Sequence, residues 1–103
     1  MRTKTMTYAK LFVPTEVSKE LHKSVRMDMS EKFGGYTKYF GYGGWVSDDN
    51  ELIEETVIVY ETYTDMSETN TYSHMYDMAC DIFENSSELA VMFVINHDRH
   101  FIE

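Results

Sequence analysis

The stretch ETVIVYETY, residues Glu55–Tyr63, carries the strongest strand signal in the chain. β-Branched and aromatic residues run through it, and such side chains are enriched in strands because they pack well on a pleated surface. It predicts one strand of a sheet, and the pattern changes on both sides of it.

One strand and one helix are predicted near the start of the chain. Thr7–Val13 (TYAKLFV) alternates and stops at Pro14, which cannot continue an inner strand. Thr15 or Ser18 can cap a helix that follows, since both side chains accept backbone N–H groups. The apolar residues of this helix recur every fourth position, at Val17, Leu21, Val25, Met29 and Phe33, and Gly34-Gly35 ends it.

A second strand precedes the central stretch, and a helix and a strand follow it. Tyr36–Tyr42 is rich in aromatic residues and predicts the second strand, while the segments 43–45 and 47–50 predict an irregular hairpin connection. Caps at Ser67–Asn70 begin the second helix, and residues 85–87 end it. Its predicted apolar face consists of Tyr72, Met75, Tyr76, Ala79, Ile82 and Phe83. Ala90–Asn96 (AVMFVIN) is short and apolar, and predicts an inner strand.

The predicted order is therefore β-α-β-β-α-β. This order is that of the ferredoxin-like fold, an α+β two-layer sandwich in which an antiparallel sheet carries both helices on one face. The 103 residues suffice for a single domain, residues 1–103.

Composition excludes several classes of protein. The hydrophobic fraction of 43% argues against disorder, and a net charge of −9 argues against direct nucleic-acid binding. Cys80 is the one cysteine, so neither an internal disulfide nor a cysteine-based zinc site is possible within the chain. No apolar run approaches the length of a membrane span and no signal peptide is visible, which predicts a soluble, cytoplasmic protein without membrane partners.

The charge is unevenly distributed along the chain. Residues 1–38 have eight bases and four acids, a net +4, whereas residues 39–103 have one base and fourteen acids, a net −13. A basic stripe on the first helix (Lys19, Lys23, Arg26) and an acidic surface (Asp48, Asp49, Asp77, Asp81, Glu84) are candidate binding surfaces. Each is equally the pattern of a solvated helix face or turn.

The sheet face opposite the helices, called the open face below, is the main candidate site. Alternate side chains point to opposite faces of a strand, and charged residues should avoid the helix-covered side. This parity predicts an open face that contains Lys10, Phe12, Lys38, Phe40, Tyr42, Glu61 and Tyr63, with Tyr8 beside Lys10 and Phe12 on the first strand. A homodimer that buries these aromatic rings, or a ligand or protein bound to them, would account for such a face.

No motif predicts a catalytic residue, a metal or a cofactor. The glycines of residues 41–44 lack the following helix and lysine of a phosphate loop. The His97–His100 pair is an incomplete zinc constellation, and the acids beside Cys80 would disfavour a thiolate nucleophile.

The stretch from Phe33 to Tyr63 resembles a family of small prokaryotic and viral ferredoxin-like domains. The shared pattern is a helix ending at Phe-Gly-Gly, a strand, Gly-Trp, an Asp-rich turn and an apolar strand that a glutamate begins. The resemblance implies a phage accessory protein, which would work in the host cytoplasm, and it carries no catalytic residue across.

These observations favour a small acidic, non-enzymatic binding protein. By analogy with phage domains of this kind, we expect a homodimeric anti-defence inhibitor that binds a host protein or sequesters a small signalling molecule. The alternative is a cofactor-free dimeric enzyme of the oxygenase or isomerase type, with a pocket on the open face where Glu61 and tyrosines supply acid–base groups. A virion or assembly protein is a third possibility.

Overall fold

The computed structural model describes residues 5–103, so Arg2 and Lys4 of the basic N-terminal third lie outside the described residues. It contains five strands and two helices in the order β1 (Thr7–Pro14), α1 (Lys19–Phe33), β2 (Thr37–Val46), β3 (Leu52–Thr64), α2 (Glu68–Glu84), β4 (Val91–Ile95) and β5 (Asp98–Ile102).

The strands form one antiparallel sheet in the order β2-β3-β1-β4-β5. The first four strands have the ferredoxin-like arrangement, and both helices lie on the same face, so the predicted fold class is confirmed. β5 extends the sheet beyond β4 by pairing with it from Val91 opposite Ile102 to Ile95 opposite Asp98.

The core lies between the sheet and the helices. Leu11, Tyr60 and Phe93 project from the three inner strands and are fully buried. The facing helix residues are Val25, Met29 and Phe33 of α1 and Met75, Met78, Ala79 and Ile82 of α2. Removal of this apolar surface from water is the main contribution to stability of such a layer.

The helix ends follow from local chemistry. Ser18 caps α1 by accepting the N–H of Leu21, and Gly34 ends it in the left-handed conformation at φ 89°. Ser67 caps α2 by accepting the N–H of Asn70. Within residues 5–103, neither helix has the length and apolar character needed to cross a membrane.

The buried face of α2 differs from the predicted one at its N-terminal half. Thr71 and Met78 are buried, whereas Tyr72 and Tyr76 are exposed. The two tyrosine rings stack on each other at a centroid distance of 6.0 Å, and Tyr72 also packs edge-on against His100 at 4.9 Å. The rings therefore cover the edge of the core beside β5 and do not fill its centre.

The β2–β3 hairpin is longer than predicted. Residues 43–45 continue β2 and do not form part of the connection, and the turn is confined to residues 47–51. The last residue pair between β1 and β3 is Pro14 with Val57, and Val57 pairs with Gly41 on its other side. Residues 42–56 therefore lie beyond the last β1–β3 pair and form a two-stranded arm.

β5 was absent from the predicted elements because its sequence, DRHFI, is polar at its start. The structure forms it through a two-residue turn at Asn96 and His97, in which Asn96 has φ 54°. Asn96 also bonds the backbone of Tyr8 twice, donating from its own N–H at 2.7 Å and accepting with its side-chain oxygen at 3.0 Å. These bonds hold the turn against β1 and direct the chain back along β4.

Candidate functional site

The strand register determines which side chains share the open face. Lys10 of β1 lies opposite Glu61 of β3 and opposite Val94 of β4, and Thr37 of β2 lies opposite Glu61 on its other side. Directly opposed residues of antiparallel strands point to the same face. Lys10 and Glu61 therefore lie at the centre of the open face, as predicted, together with Phe12 and Tyr63.

Two tyrosine hydroxyls bind the Glu61 carboxylate. Tyr8 Oη donates to Glu61 Oε2 at 2.6 Å, and Tyr39 Oη donates to the same oxygen at 3.3 Å. The three residues come from β1, β2 and β3, so the site exists only when those strands are paired. Both bonds involve an ionised acceptor, and the shorter one is the length expected of a strong O–H···O⁻ bond.

The surroundings keep both phenols protonated. Partial burial and the neighbouring Glu61 carboxylate raise the pKa of Tyr8 and that of Tyr39 above the usual value for tyrosine. A raised pKa means that the neutral phenol persists at any physiological pH, so both hydroxyls remain hydrogen-bond donors. Glu61 is thus a carboxylate held in place by two fixed donors.

Aromatic rings surround this carboxylate. The rings of Tyr8 and Tyr63 pack against each other at a centroid distance of 4.8 Å, and Tyr63 is largely exposed. The Lys10 ammonium lies over the rings of Phe12 and Tyr8, at 5.3 Å and 5.8 Å from their centroids. Such a surface offers flat apolar faces, π-electron density and one charge of each sign.

A cleft of about 250 Å³ adjoins Glu61 at the C-terminal end of α1. It is lined by Phe33, Gly34, Gly35, Tyr36, Thr37, Glu61, Thr62 and Tyr63. Thr62 Oγ1 donates to the carbonyl oxygen of Gly35 at 2.9 Å and so ties the loop after α1 to β3. The cleft is open to solvent on one side, and Glu61 is its one titratable carboxylate.

Three residues predicted for the open face lie on the opposite one. Lys38, Phe40 and Tyr42 pair with Tyr60, Ile58 and Thr56, and the Tyr60 side chain points toward α1. The prediction assumed that charges avoid the helix side and used Lys38 to set the parity of β2. β2 is an edge strand and the helices do not cover it, so that rule does not apply there.

Tyr39 is the site residue that sequence reasoning missed. It lies on the open face, directly opposite Val59, whereas the predicted parity of β2 placed it on the helix side. A signal for the correct parity exists two residues later: a side chain on Gly41 would lie 3.1 Å from a methyl group of Val57 on the open face. The glycine therefore marks the face on which β2 packs closely against β3.

The three residues of the basic stripe on α1 do not form one exposed surface. Lys19 and Lys23 are exposed, whereas Arg26 donates to the hydroxyl of Tyr60 at 3.4 Å. Tyr60 in turn lies 2.7 Å from Nδ1 of the buried His22, whose Nε2 lies 3.0 Å from the Pro14 carbonyl oxygen. A carbonyl only accepts, so Nε2 carries the proton and Nδ1 accepts from Tyr60. Arg26 is thus part of a structural network.

The predicted acidic surface is spread over two elements. Asp48 and Asp49 are exposed in the turn of the β2–β3 arm, whereas Asp77, Asp81 and Glu84 lie on the exposed side of α2. Asp77 and Asp81 also line a groove of about 230 Å³ between the helices, with Asp28, Lys32, His74 and Met78.

A further carboxylate cluster lies where the arm leaves the sheet. One carboxylate oxygen each of Glu16, Glu55 and Glu88 lies within 4.8 Å of the other two. Partial burial, the charges of Glu55 and Glu16 and a hydrogen bond with Glu16 raise the pKa of Glu88 to about 7. Mutual repulsion between such close carboxylates is relieved when one of them holds a proton.

Comparison with known proteins gives structural matches only. No family model and no curated protein matches the sequence. Two solved structures match the fold, a phage SAM lyase in complex with S-methyl-5'-thioadenosine and a phage SAM lyase in the apo state. The first has a TM-score of 0.76 at 12% identity, and the second 0.74 at 14% identity. Each alignment covers 99% of this chain and 93% of the other.

This finding contradicts the prediction of a non-enzymatic binding protein. The two structures that align with nearly the whole chain are those of an enzyme, a SAM lyase. The prediction rested on the lack of a catalytic motif in the sequence. A site assembled from single residues on three separate strands leaves no such motif.

Proposed function

We propose that this chain is a lyase that cleaves S-adenosylmethionine (SAM) on the open face beside Glu61. The observation that carries the proposal is the Glu61 carboxylate, bound by the hydroxyls of Tyr8 and Tyr39 and surrounded by aromatic rings. The likeness of the fold to a phage SAM lyase, which extends over 99% of this chain, supports the choice of substrate.

The chemistry of the face matches that of the substrate. SAM combines a flat adenine ring, a sulfonium cation and an α-amino acid. The exposed Tyr63 ring offers a stacking surface for adenine, and the rings and the Glu61 carboxylate attract a cation. Lys10 lies directly opposite Glu61 and provides the complementary charge for the substrate carboxylate.

The reaction needs only one substrate. The bond between the sulfonium sulfur and Cγ of the amino-acid chain breaks, and its electron pair stays on sulfur to give neutral S-methyl-5'-thioadenosine. The substrate's own carboxylate oxygen forms the new bond to Cγ, which closes a five-membered lactone and loses no proton. Positive and negative charge disappear together as the bond breaks, so apolar surroundings favour the transition state over the charged substrate.

In this proposal Glu61 recognises charge and does not transfer a proton. The thioether product is neutral, so its attraction to Glu61 is weaker than that of the sulfonium substrate. Tyr8 and Tyr39 are positioning residues that hold the carboxylate in one orientation, and the rings of Tyr63 and Phe12 offer apolar surface to the substrate. This division of roles relies on binding and orientation of the substrate, because the sulfonium charge that Glu61 attracts is already declining in the transition state.

The direct test is to incubate the purified full chain with SAM and detect products by liquid chromatography and mass spectrometry. We expect S-methyl-5'-thioadenosine and a four-carbon amino-acid product in equal amounts. Glu61→Gln should lower kcat/KM by about 30- to 100-fold, the size of one interaction with a charged group. Glu54→Gln, which removes an exposed carboxylate from the same strand, is the matched control. Absence of turnover in the wild type would refute the proposal.

Reaction in ¹⁸O-labelled water separates a lyase from a hydrolase. If the lactone forms first, its later opening by water labels the carboxyl group of the four-carbon product. If water attacks Cγ directly, the label appears on the Cγ hydroxyl. The second outcome would retain SAM as the substrate and overturn the lyase reaction.

We also propose a phage anti-defence role for this activity. Destruction of SAM would disable any host defence system that needs SAM, and the phage source of the similar structures supports this setting. The test is phage plating on a host with a SAM-dependent restriction system. Expression of the wild-type chain should raise plating efficiency and Glu61→Gln should not; equal effects would contradict a role through catalysis.

A further inference from the structure

The cleft beside Glu61 is too small for the whole of SAM. Its volume is about 250 Å³, whereas pockets that enclose a drug-sized ligand have roughly 300–1,000 Å³. Gly34 and Gly35 form part of its wall with bare backbone, and a Cβ atom added to either would meet no atom within 4 Å. The cleft therefore has room for one part of the substrate, while the rest lies on the open face.

Charge selects which part of the substrate the cleft can hold. Among the side chains that line the cleft, only that of Glu61 carries a charge. The amino-acid end of SAM has a carboxylate, which in the cleft would meet the like charge of Glu61 with no cation to balance it. Lys10 lies on the β1 side of Glu61, whereas the cleft lies on the β2 side, where Thr37 is the opposite residue. The amino-acid end thus fits toward Lys10 and the neutral adenine toward the cleft.

The wall of the cleft on β3 offers a free backbone edge. In an antiparallel sheet the N–H and C=O groups of successive residues point to alternate neighbouring strands. The carbonyl oxygen of Thr56 accepts from Thr15 on the β1 side, so the odd-numbered residues of β3 point toward β2. Tyr63 lies two residues beyond Glu61, where the pairing with β2 ends, and no strand of the described residues pairs with Tyr63 on that side. Its N–H and C=O groups therefore face the cleft.

We infer that this cleft holds the adenine of SAM and that the backbone of Tyr63 binds the Watson–Crick edge of the base, an inference that rests on the proposed cleavage of SAM. This edge of adenine has one acceptor, N1, and one donor, the 6-amino group. A backbone N–H and a backbone C=O on the same side of a strand match that pair. The exposed ring of Tyr63 and the ring of Tyr36, which packs edge-on against Tyr60 at a centroid distance of 6.0 Å, offer apolar surface to the base.

This arrangement selects adenine over hypoxanthine. Hypoxanthine has a carbonyl oxygen in place of the amino group and an N–H in place of the N1 acceptor. In the same orientation, the backbone C=O of Tyr63 would face an acceptor and its N–H would face a donor. Two hydrogen bonds are lost together, so we expect adenine to be preferred by about tenfold or more.

Isothermal titration calorimetry of the full chain tests this selection without any turnover. The two ligands are S-methyl-5'-thioadenosine and S-methyl-5'-thioinosine, and we expect the adenine compound to bind about tenfold more tightly or better. Tyr63→Ala should weaken the binding of both compounds through loss of the ring and should keep their ratio, because the backbone groups remain. A ratio near one in the wild type, or a ratio that disappears in Tyr63→Ala, would overturn recognition by the backbone.

A bulky residue at the cleft tests where the base binds. Thr37 is exposed and lines the cleft, so Thr37→Phe should fill the space and weaken the binding of S-methyl-5'-thioadenosine by about tenfold or more. Thr56→Phe is the matched control, because it makes the same change at an exposed threonine of the arm and should leave the affinity unchanged. Circular dichroism shows whether both variants remain folded. Equal affinities of the two variants would assign the base to another surface and overturn the inference.

Failure of this inference and failure of the proposed function give different results. A wild-type chain that cleaves SAM but binds the two nucleosides equally loses the adenine site and keeps the lyase reaction. A wild-type chain that binds S-methyl-5'-thioadenosine selectively but leaves SAM intact keeps the adenine site and loses the lyase reaction. A chain that binds neither nucleoside overturns the inference.

Discussion

The hydroxyl of Tyr8 donates a 2.6 Å hydrogen bond to Oε2 of Glu61, although the two residues are diagonal and not opposite neighbours in the β1–β3 pair. Tyr8 lies opposite Tyr63, and Glu61 lies opposite Lys10. A tyrosine side chain is long enough to reach its diagonal neighbour. The carboxylate is therefore paired with a neutral phenol on the adjacent strand, and the Lys10 ammonium rests on aromatic rings instead.

The two phenols should contribute unequally to activity. Tyr8→Phe removes the 2.6 Å bond to Glu61 and should lower kcat/KM for SAM cleavage by about 10- to 100-fold. Tyr39→Phe removes the 3.3 Å bond and should lower it by about threefold or less. Steady-state kinetics with SAM measures both, and thermal unfolding of each variant controls for loss of the fold. Equal losses in the two variants would contradict unequal positioning of the carboxylate.

The cluster of Glu16, Glu55 and Glu88 should make stability fall as the pH rises. The pKa of Glu88 is raised to about 7 in the folded protein, from 4.5 in the unfolded chain. The stabilisation is therefore complete below pH 4.5 and is lost as the pH rises through about 7.

Thermal unfolding between pH 5 and pH 8 measures this effect. The Tm of the wild type should fall by roughly 3–6 °C across that range. Glu88→Gln, which keeps the size of the side chain without its charge, should flatten the dependence. Glu84→Gln, an exposed acid at the end of α2, is the control and should leave the slope unchanged. A slope that survives Glu88→Gln would show that other groups cause it.

Two glycines of β2 should respond differently to alanine. A methyl group at Gly41 would lie 3.1 Å from Val57 Cγ2 and 3.5 Å from Val59 Cγ2, so Gly41→Ala should cost about 1–2 kcal/mol of unfolding free energy. Nothing lies within 4 Å of the equivalent position at Gly43, where alanine should be neutral or stabilise by about 0.5 kcal/mol. Urea unfolding of the two variants measures both values. A destabilised Gly43→Ala with an unchanged Gly41→Ala would contradict the register of β2.

The buried Tyr60 hydroxyl should be a large single contribution to stability. Tyr60→Phe leaves Nδ1 of His22 without its donor and removes the acceptor of Arg26, which should cost about 1–3 kcal/mol. Tyr42→Phe removes a hydroxyl from a ring that is mostly exposed and should change the unfolding free energy by less than about 0.5 kcal/mol. Chemical denaturation of both variants gives the comparison. A Tyr60→Phe chain as stable as the wild type would show that His22 finds another partner.

Local patterns were enough to predict the main elements of the fold. The apolar spacing from Val17 to Phe33, the serine caps and the glycines after Phe33 each depend on residues within one or two turns, so α1 was predicted nearly at its observed bounds. The strands at Thr7–Val13 and Glu55–Tyr63 have one face on the core, and their parity was correct for the same reason. β2 and β5 are the outer strands, and both were described wrongly or missed.

The sequence by itself therefore determined the order of the elements and the orientation of the strands that touch the helices, because burial forces a periodic pattern on residues close in the chain. Only the tertiary structure decided that Tyr8, Tyr39 and Glu61 meet. They lie up to 53 positions apart, and their contact depends on the register of two strand pairs. The face of β2 is set by how Gly41 packs on Val57 and not by a buried stripe of its own, so no periodicity within β2 records which of its tyrosines reaches the carboxylate.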